Sequence, residues 1–234
     1  EKFYDITGTL SYLSILGFIL YLKTNILNLI LDERDLILSI LILIWTVRLG
    51  GFLLYRILKT GEDKRFGKLK NNFYTFLLAW SLSALWVFIA SLAAITAMLS
   101  NNEYIINFYL SFGTFIWVIG FLIELIADTQ KMSFNLNFNN KGKFINVGLW
   151  RISRHPNYFG EILLWVGIAI ISFPLLSGWQ YISLISPIFV YLLLTRVSGI
   201  NLLEEKADRI WGDNKDYHLY KNNTPKLFPF IKSN

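Results

Sequence analysis

Between Gly148 and Glu161 the chain reads Gly-Leu-Trp-Arg-Ile-Ser-Arg-His-Pro-Asn-Tyr-Phe-Gly-Glu, and no other stretch is as dense in groups that can do chemistry. Arg151 and Arg154 carry fixed positive charge, His155 titrates near neutrality, Asn157 both donates and accepts hydrogen bonds, and Glu161 brings a carboxylate. Pro156 lacks an amide hydrogen and suits a first helical turn, so a polar loop is expected to end here and an apolar helix to begin near Asn157. Asn157 and Glu161, four residues apart, then share a helical face. The two arginines stand just outside a helix start whose N–H groups and dipole attract an anion. A phosphate or carboxylate fits that arrangement. Taken singly, the residues have a plainer use, because basic residues beside a membrane helix set its orientation and proline is common at helix starts. Glu161 has no such use: a carboxylate one turn inside an apolar helix is costly unless it is paired or functional.

Further candidates lie outside this run. Glu124 and Asp128 stand one turn apart at the end of an apolar segment, where the helix dipole disfavours them. Cations or hydroxyls are expected to face them, with Arg151, Arg154 or a ribose as candidates and an ion-paired bundle end as the structural alternative. Arg48, in the run Trp45-Thr46-Val47-Arg48, is expected to face a bundle interior, whereas Arg56 can reach the interface. Tyr55 suits interfacial anchoring, and Tyr217 and Tyr220 are expected to anchor the tail or, as the alternative, to close a site. Gly61 to Gly67 reads as a solvated turn. With two histidines, His155 and His218, and no cysteine, a histidine-rich or thiolate metal site is not expected. Glu124, Asp128 and Glu161 offer oxygen ligands for a hard cation, a weaker reading.

The elements that position these residues follow from composition. Hydrophobic residues make up 54% of the chain and charged residues only 16%, which is the balance of a membrane protein. Six apolar segments approach the roughly 20 residues a spanning helix needs: 6–22, 36–58, 73–99, 104–127, 157–174 and 179–197. The fold expected is an all-α, polytopic membrane helix bundle forming one domain over 1–234. The net charge of +6 falls in the connections rather than in a soluble basic domain, so nucleic acid is not an expected partner. Lys59, Lys64, Arg65, Lys68 and Lys70 precede the third span, and Lys131, Lys141, Lys143, Arg151 and Arg154 precede the fifth. Only Lys23 and Arg34 lie on the opposite connections. The basic loops and the C-terminal tail are therefore expected on the cytoplasmic side. Residues 198–234 mix aromatic and charged side chains, as an amphipathic interfacial tail does. The start at Glu1 lacks the pattern of a signal peptide, and a further span upstream is expected.

The Gly148-to-Glu161 run, with the Glu124–Asp128 pair upstream and Arg196 and Glu204 downstream, resembles the steroid 5α-reductase superfamily in its bacterial branch of reductase-like membrane proteins. Isoprenylcysteine carboxyl methyltransferases and intramembrane sterol reductases carry similar Arg-His-Pro loops followed by a comparable glutamate. The resemblance implies a bundle of mostly seven helices, six of them here. It also implies NADPH bound from the cytoplasmic side and hydride transfer to a C=C bond conjugated to a ketone in a steroid-like or other lipid. On this resemblance Asp128, Asn157 and Glu161 match cofactor-contacting positions, and Glu124 stands where steroid reductases have asparagine. Arg196 matches a cofactor-side arginine, and Arg48 the arginine that follows the catalytic tyrosine. Arg151, Arg154, His155, Tyr158 and Glu204 complete the implied cofactor set. Two positions depart from the pattern: Trp45 stands in the tyrosine position, and Ile200 near the place of a downstream histidine. Tyr55 or Tyr4 is the candidate proton donor in place of that tyrosine, Tyr55 being the one carried forward. The competing expectations are an S-adenosylmethionine-dependent methyltransferase acting on a lipid or prenylated carboxylate, and a lipid-binding scaffold without catalysis, which Trp45 favours.

Overall fold

The computed structural model describes residues 4–60, 72–101, 108–197 and 199–231; the turn expected at 61–67 lies outside them. Every apolar segment forms helix, and no strand occurs among the described residues. The helices are α1 (Tyr4–Tyr21), α2 (Glu33–Thr60), α3 (Phe73–Leu99), α4 (Phe108–Leu136), α5 (Pro156–Ser172), α6 (Ile185–Leu192), α7 (Ile200–Trp211) and α8 (Lys215–Asn223). Among the described residues six helical stretches are long and apolar enough to cross a membrane. The protein is an integral, multi-pass membrane protein whose surroundings are a lipid bilayer.

Two boundaries differ from the sequence expectation in ways that bear on function. Helix α4 does not stop near Ala127 but runs on to Leu136. No glycine or proline interrupts that stretch, and its Gln, Lys and Met are good helix formers. Glu124 and Asp128 are therefore in the body of the helix, clear of its last turn, where the dipole would oppose them. The sixth stretch is not one uniform helix: a 3-10 segment Gly178–Leu184 leads into α6, and a π-helical turn Leu193–Val197 follows it.

The chain divides into two compact units. The first comprises Glu1–Ser111 with Ile168–Ser186. Its interior is built from Tyr12, Leu16 and Ile19 of α1, Leu38, Ile42 and Trp45 of α2, and a run of small residues on α3, Ala90, Ala93, Ala94 and Ala97, all fully buried. Small residues let membrane helices approach closely, since van der Waals contact rather than water exclusion drives their association. Gly50 of α2 shows the same need, because a Cβ there would overlap the Thr9 side chain of α1. Leu10, Phe18, Leu43, Val47, Leu78 and Phe88 point outward, as lipid-facing residues do.

The connection from α1 to α2 holds a buried charge cluster. Lys23 pairs with Asp35 at 2.5 Å, and Arg34 pairs with Asp32 at 2.8 Å and Asp35 at 3.4 Å. Asp32 and Asp35 also accept from each other's backbone N–H, a reciprocal cap on the start of α2. Lys23 and Arg34, the sparse basic residues of this side in the sequence, are thus neutralised internally.

The second unit comprises Phe112–Gly167 with Pro187–Asn234. It contains most of α4 and α5, the loop between them, and the tail. Asn214 caps α8 by accepting from the Asp216 and Tyr217 amides.

Candidate functional site

In the second unit α4 and α5 touch through glycines repeated at a seven-residue interval on each helix. A Cβ on Gly160 would lie 2.6 Å from both the Glu124 nitrogen and the Gly120 oxygen, and one on Gly120 would lie 2.5 Å from the Leu164 nitrogen. Further along, a Cβ on Gly167 would lie 2.7 Å from the Gly113 oxygen. No side chain fits between these backbones. The close approach brings the acids of α4 to the polar start of α5: Asn157 donates its amide to Asp128 at 3.2 Å. Glu124, Asp128 and Glu161 are all buried.

The loop that delivers the arginines is pinned to α4 first. Gly148 adopts φ +60°, a left-handed conformation glycine takes without strain, and a Cβ there would also strike Gln130. Gln130 accepts from the Leu149 N–H at 2.9 Å, and Trp150 donates its indole N–H to the Ala127 carbonyl at 3.0 Å. The ammonium of Lys131 lies 4.4 Å from the Trp150 ring centroid, a favourable cation–π placement. Helix α5 then begins at Pro156 as expected.

The tail holds the same loop from another direction. The Arg154 N–H donates to the Pro225 carbonyl, the Ser153 hydroxyl to the Leu227 carbonyl at 2.8 Å, and the Tyr220 hydroxyl to the Trp150 carbonyl at 2.6 Å. Burial pushes the Tyr220 phenol above its ordinary pKa, so it stays a donor. Phe144 packs against Trp211, Tyr217 and Tyr220. The two tyrosines, expected to anchor the tail or to close a site, join the tail to the loop.

Helix α7 supplies the counter-charge. Glu204 accepts from Arg154 through one oxygen at 2.5 Å and meets His155 Nε2 through the other at 2.8 Å. His155 is nearly fully buried and stacks on Tyr158 with the rings 10° from parallel. Its pKa lies below the ordinary 6.5, chiefly because burial disfavours the charged form, with Glu204 opposing in part. The Arg154 guanidinium, a candidate partner of an α4 acid or a phosphate, is paired with Glu204 of α7.

The remaining candidates have settings of their own. Arg151 is exposed at the end of the 3-10 turn Gly148–Arg151. Arg196 is exposed in the π-helical turn after α6. Arg48 and Tyr55 belong to the first unit. There Arg48 lies 5.9 Å from the Phe52 ring, and Tyr55 is 46% exposed with Lys59 over its ring. Trp45 is buried edge-on against Tyr12. Among the described residues no three of His, Asp and Glu converge to hold a metal ion. Gln130, Lys131, Trp150 and Ser153 were not singled out from sequence. The glycine before Leu149-Trp150 was the available signal.

The family model described as a protein of unknown function, DUF1295, matches residues 2–224. The chain belongs to that family. DUF1295 proteins are part of the steroid 5α-reductase-like and methyltransferase membrane superfamily, in agreement with the motif resemblance. Two curated proteins are similar to part of this family member. A probable O-methyltransferase of Ustilaginoidea virens is 28% identical over 92 residues, covering 39% of this chain and 32% of its own. A steroid 5-alpha-reductase of Gossypium hirsutum is 28% identical over 120 residues, covering 51% of this chain and 41% of its own. The chain thus spans well under half the length of the curated relatives it matches. No solved structure matches.

Proposed function

We propose that the protein is an NADPH-dependent membrane reductase that transfers hydride to an activated C=C bond, conjugated to a ketone, in a steroid-like or other lipid. The observation that carries this reading is the part-buried hydrogen bond from Asn157 to Asp128, with the buried Glu124 and Glu161 on the same two helices and Arg154 and His155 immediately before α5. A dinucleotide asks for that mixture: carboxylates accept from ribose hydroxyls, an asparagine pairs with a carboxamide, and cations meet phosphates. Arg154 Nε and His155 Nδ1 are buried and make no hydrogen bond among the described residues, so polar capacity is left for a ligand. Bound NADPH would supply the hydride. The chain's own residues hold and orient: Asp128, Asn157, Glu124, Glu161, Tyr158 and Glu204 at the polar face, Arg151 and Arg196 toward phosphates, with Arg48 assigned to the same set. Tyr55 is assigned the proton that completes reduction. The basic connections favour a cytoplasmic cofactor side, and an apolar helical exterior lets a lipid arrive from the bilayer.

The similarity to an O-methyltransferase supports a second reading, in which S-adenosylmethionine occupies the polar face and a lipid carboxylate receives the methyl group. One titration separates the two, because a ligand that binds the native state raises apparent stability by mass action. Purified protein in detergent is heated with NADPH or with S-adenosylmethionine. The reductase reading expects saturable stabilisation by NADPH, its loss in Asn157→Ala, and consumption of NADPH only when an enone lipid is added. Stabilisation by S-adenosylmethionine alone overturns it.

A further inference from the structure

Glu204 touches both residues of the Arg154-His155 pair, one with each carboxylate oxygen. An ionised carboxylate only accepts hydrogen bonds, so the histidine nitrogen facing it must carry the proton. In a neutral imidazole the other nitrogen is then an acceptor. Burial favours that neutral form, lowering the His155 pKa below its ordinary value, and the charges of Lys131 and Arg154 act in the same direction. His155 is 5% exposed, and its Nδ1 meets no hydrogen-bond partner among the described residues. The Nε of Arg154, a donor that cannot lose its proton, is likewise buried and unmatched. Consecutive residues tied to one carboxylate thus offer one spare acceptor and one spare donor. Buried polar groups are rarely left so.

We infer that Glu204 is a positioning residue that locks His155 in its Nε2–H tautomer, and that His155 Nδ1 and Arg154 Nε together bind a ribose hydroxyl of an adenosine-containing cofactor. A hydroxyl is the group that answers both, donating its hydrogen to Nδ1 and accepting from Nε–H. The inference rests on the nucleotide-cofactor reading above, but it changes the part played by Glu204, which orients the binding groups and does not itself contact the cofactor. It also assigns His155 as an acceptor, where a cationic histidine would instead seek a phosphate.

Nitrogen NMR on the whole protein with 15N-labelled histidine tests this directly. The chain has only two histidines, so His218→Gln leaves one pair of ring signals. The resting protein is expected to show a protonated Nε2 and an unprotonated Nδ1. Saturating NADPH, or S-adenosylmethionine if that is the ligand, is expected to move the Nδ1 signal upfield, as accepting a hydrogen bond does, while Nε2 stays protonated. Glu204→Gln, whose amide can donate as well as accept, is expected to give mixed tautomers. His155→Phe is expected to weaken cofactor binding by roughly tenfold, the worth of one such bond. A resting Nδ1–H tautomer or an imidazolium overturns the inference. So does an Nδ1 signal unmoved by a cofactor that demonstrably stabilises the protein, an outcome that leaves the cofactor reading standing with water as the partner of both groups. If neither cofactor stabilises the protein, the reading and the inference fall together.

Discussion

Replacing Gly160 by alanine tests whether contact between the α4 and α5 backbones builds the site. The added methyl would lie 2.6 Å from the Glu124 nitrogen and the Gly120 oxygen and 3.0 Å from the Glu124 Cα, against 3.4 Å for ordinary contact. All three neighbours are backbone, so no side-chain rotation relieves the overlap and the helices must part by several tenths of an ångström. Overpacking of this kind costs about 1–3 kcal/mol. In a chain of this size each kcal/mol moves the melting temperature by roughly 2–4 °C. The same displacement stretches the 3.2 Å bond from Asn157 to Asp128, less than one turn away, so binding of the stabilising cofactor is expected to weaken as well. Gly8→Ala is the control, since a Cβ there meets nothing within 4 Å and alanine is the better helix former by about 1 kcal/mol. The assay is thermal unfolding in detergent, with and without cofactor. Equal melting temperatures for Gly160→Ala and Gly8→Ala would refute the packing argument, and a destabilised Gly160→Ala that binds cofactor normally would refute its link to the site.

Trp150→Phe removes the bond to the Ala127 carbonyl and weakens the Lys131 contact; it is expected to cost about 1–2 kcal/mol in thermal unfolding. Lys23→Met leaves the buried Asp35 carboxylate without its closest cation, held by the longer Arg34 contact and the Asp32 N–H, and a loss of about 3 kcal/mol is expected, read as a lower unfolding midpoint. His155 is neutral in the native protein with a pKa below 6.5, so the unfolded chain takes up its proton first on acidification. Its stability contribution is complete above about pH 6.5 and is lost as pH falls through the native pKa; His155→Gln is expected to flatten the melting temperature in that window. Arg151→Gln is expected to weaken NADPH binding and reduce its salt dependence with little change in melting temperature, because Arg151 is exposed. Arg154→Gln is expected to lower the melting temperature, because Glu204 loses one of its two partners and keeps only His155.

The helical segments were legible in the sequence because a bilayer leaves few choices: about 20 apolar residues must satisfy their backbone internally, and only helix does so within one segment. Where polarity rises, that rule ends, which is why α4 was expected to stop near Ala127 although its backbone continues to Leu136. The chemistry of Arg154, His155, Asn157 and Glu161 was legible from residue type and spacing. Their partners were not. Asp128 meets Asn157 and Arg154 meets Glu204 because of how α4, α5 and α7 approach one another, and no local pattern encodes that approach. The exception is the α4–α5 seam, which the glycines at 113, 120, 160 and 167 mark as a seven-residue interval on two helices, a period that suits a helix–helix seam.

The tail is a scaffold for the loop before α5. Three carbonyls and one carboxylate from elsewhere in the second unit receive hydrogen bonds from the loop before α5: Ala127 in α4, Pro225 and Leu227 in the tail, and Glu204 in α7. A loop solvated by water would need none of them. A loop that must hold an arginine and a neutral histidine out of water needs nearly all, since each unmet polar group there costs about 1–3 kcal/mol. The two that remain unmet, Arg154 Nε and His155 Nδ1, stand out because their surroundings are so fully satisfied, and they fall on the residues whose spacing first marked this stretch.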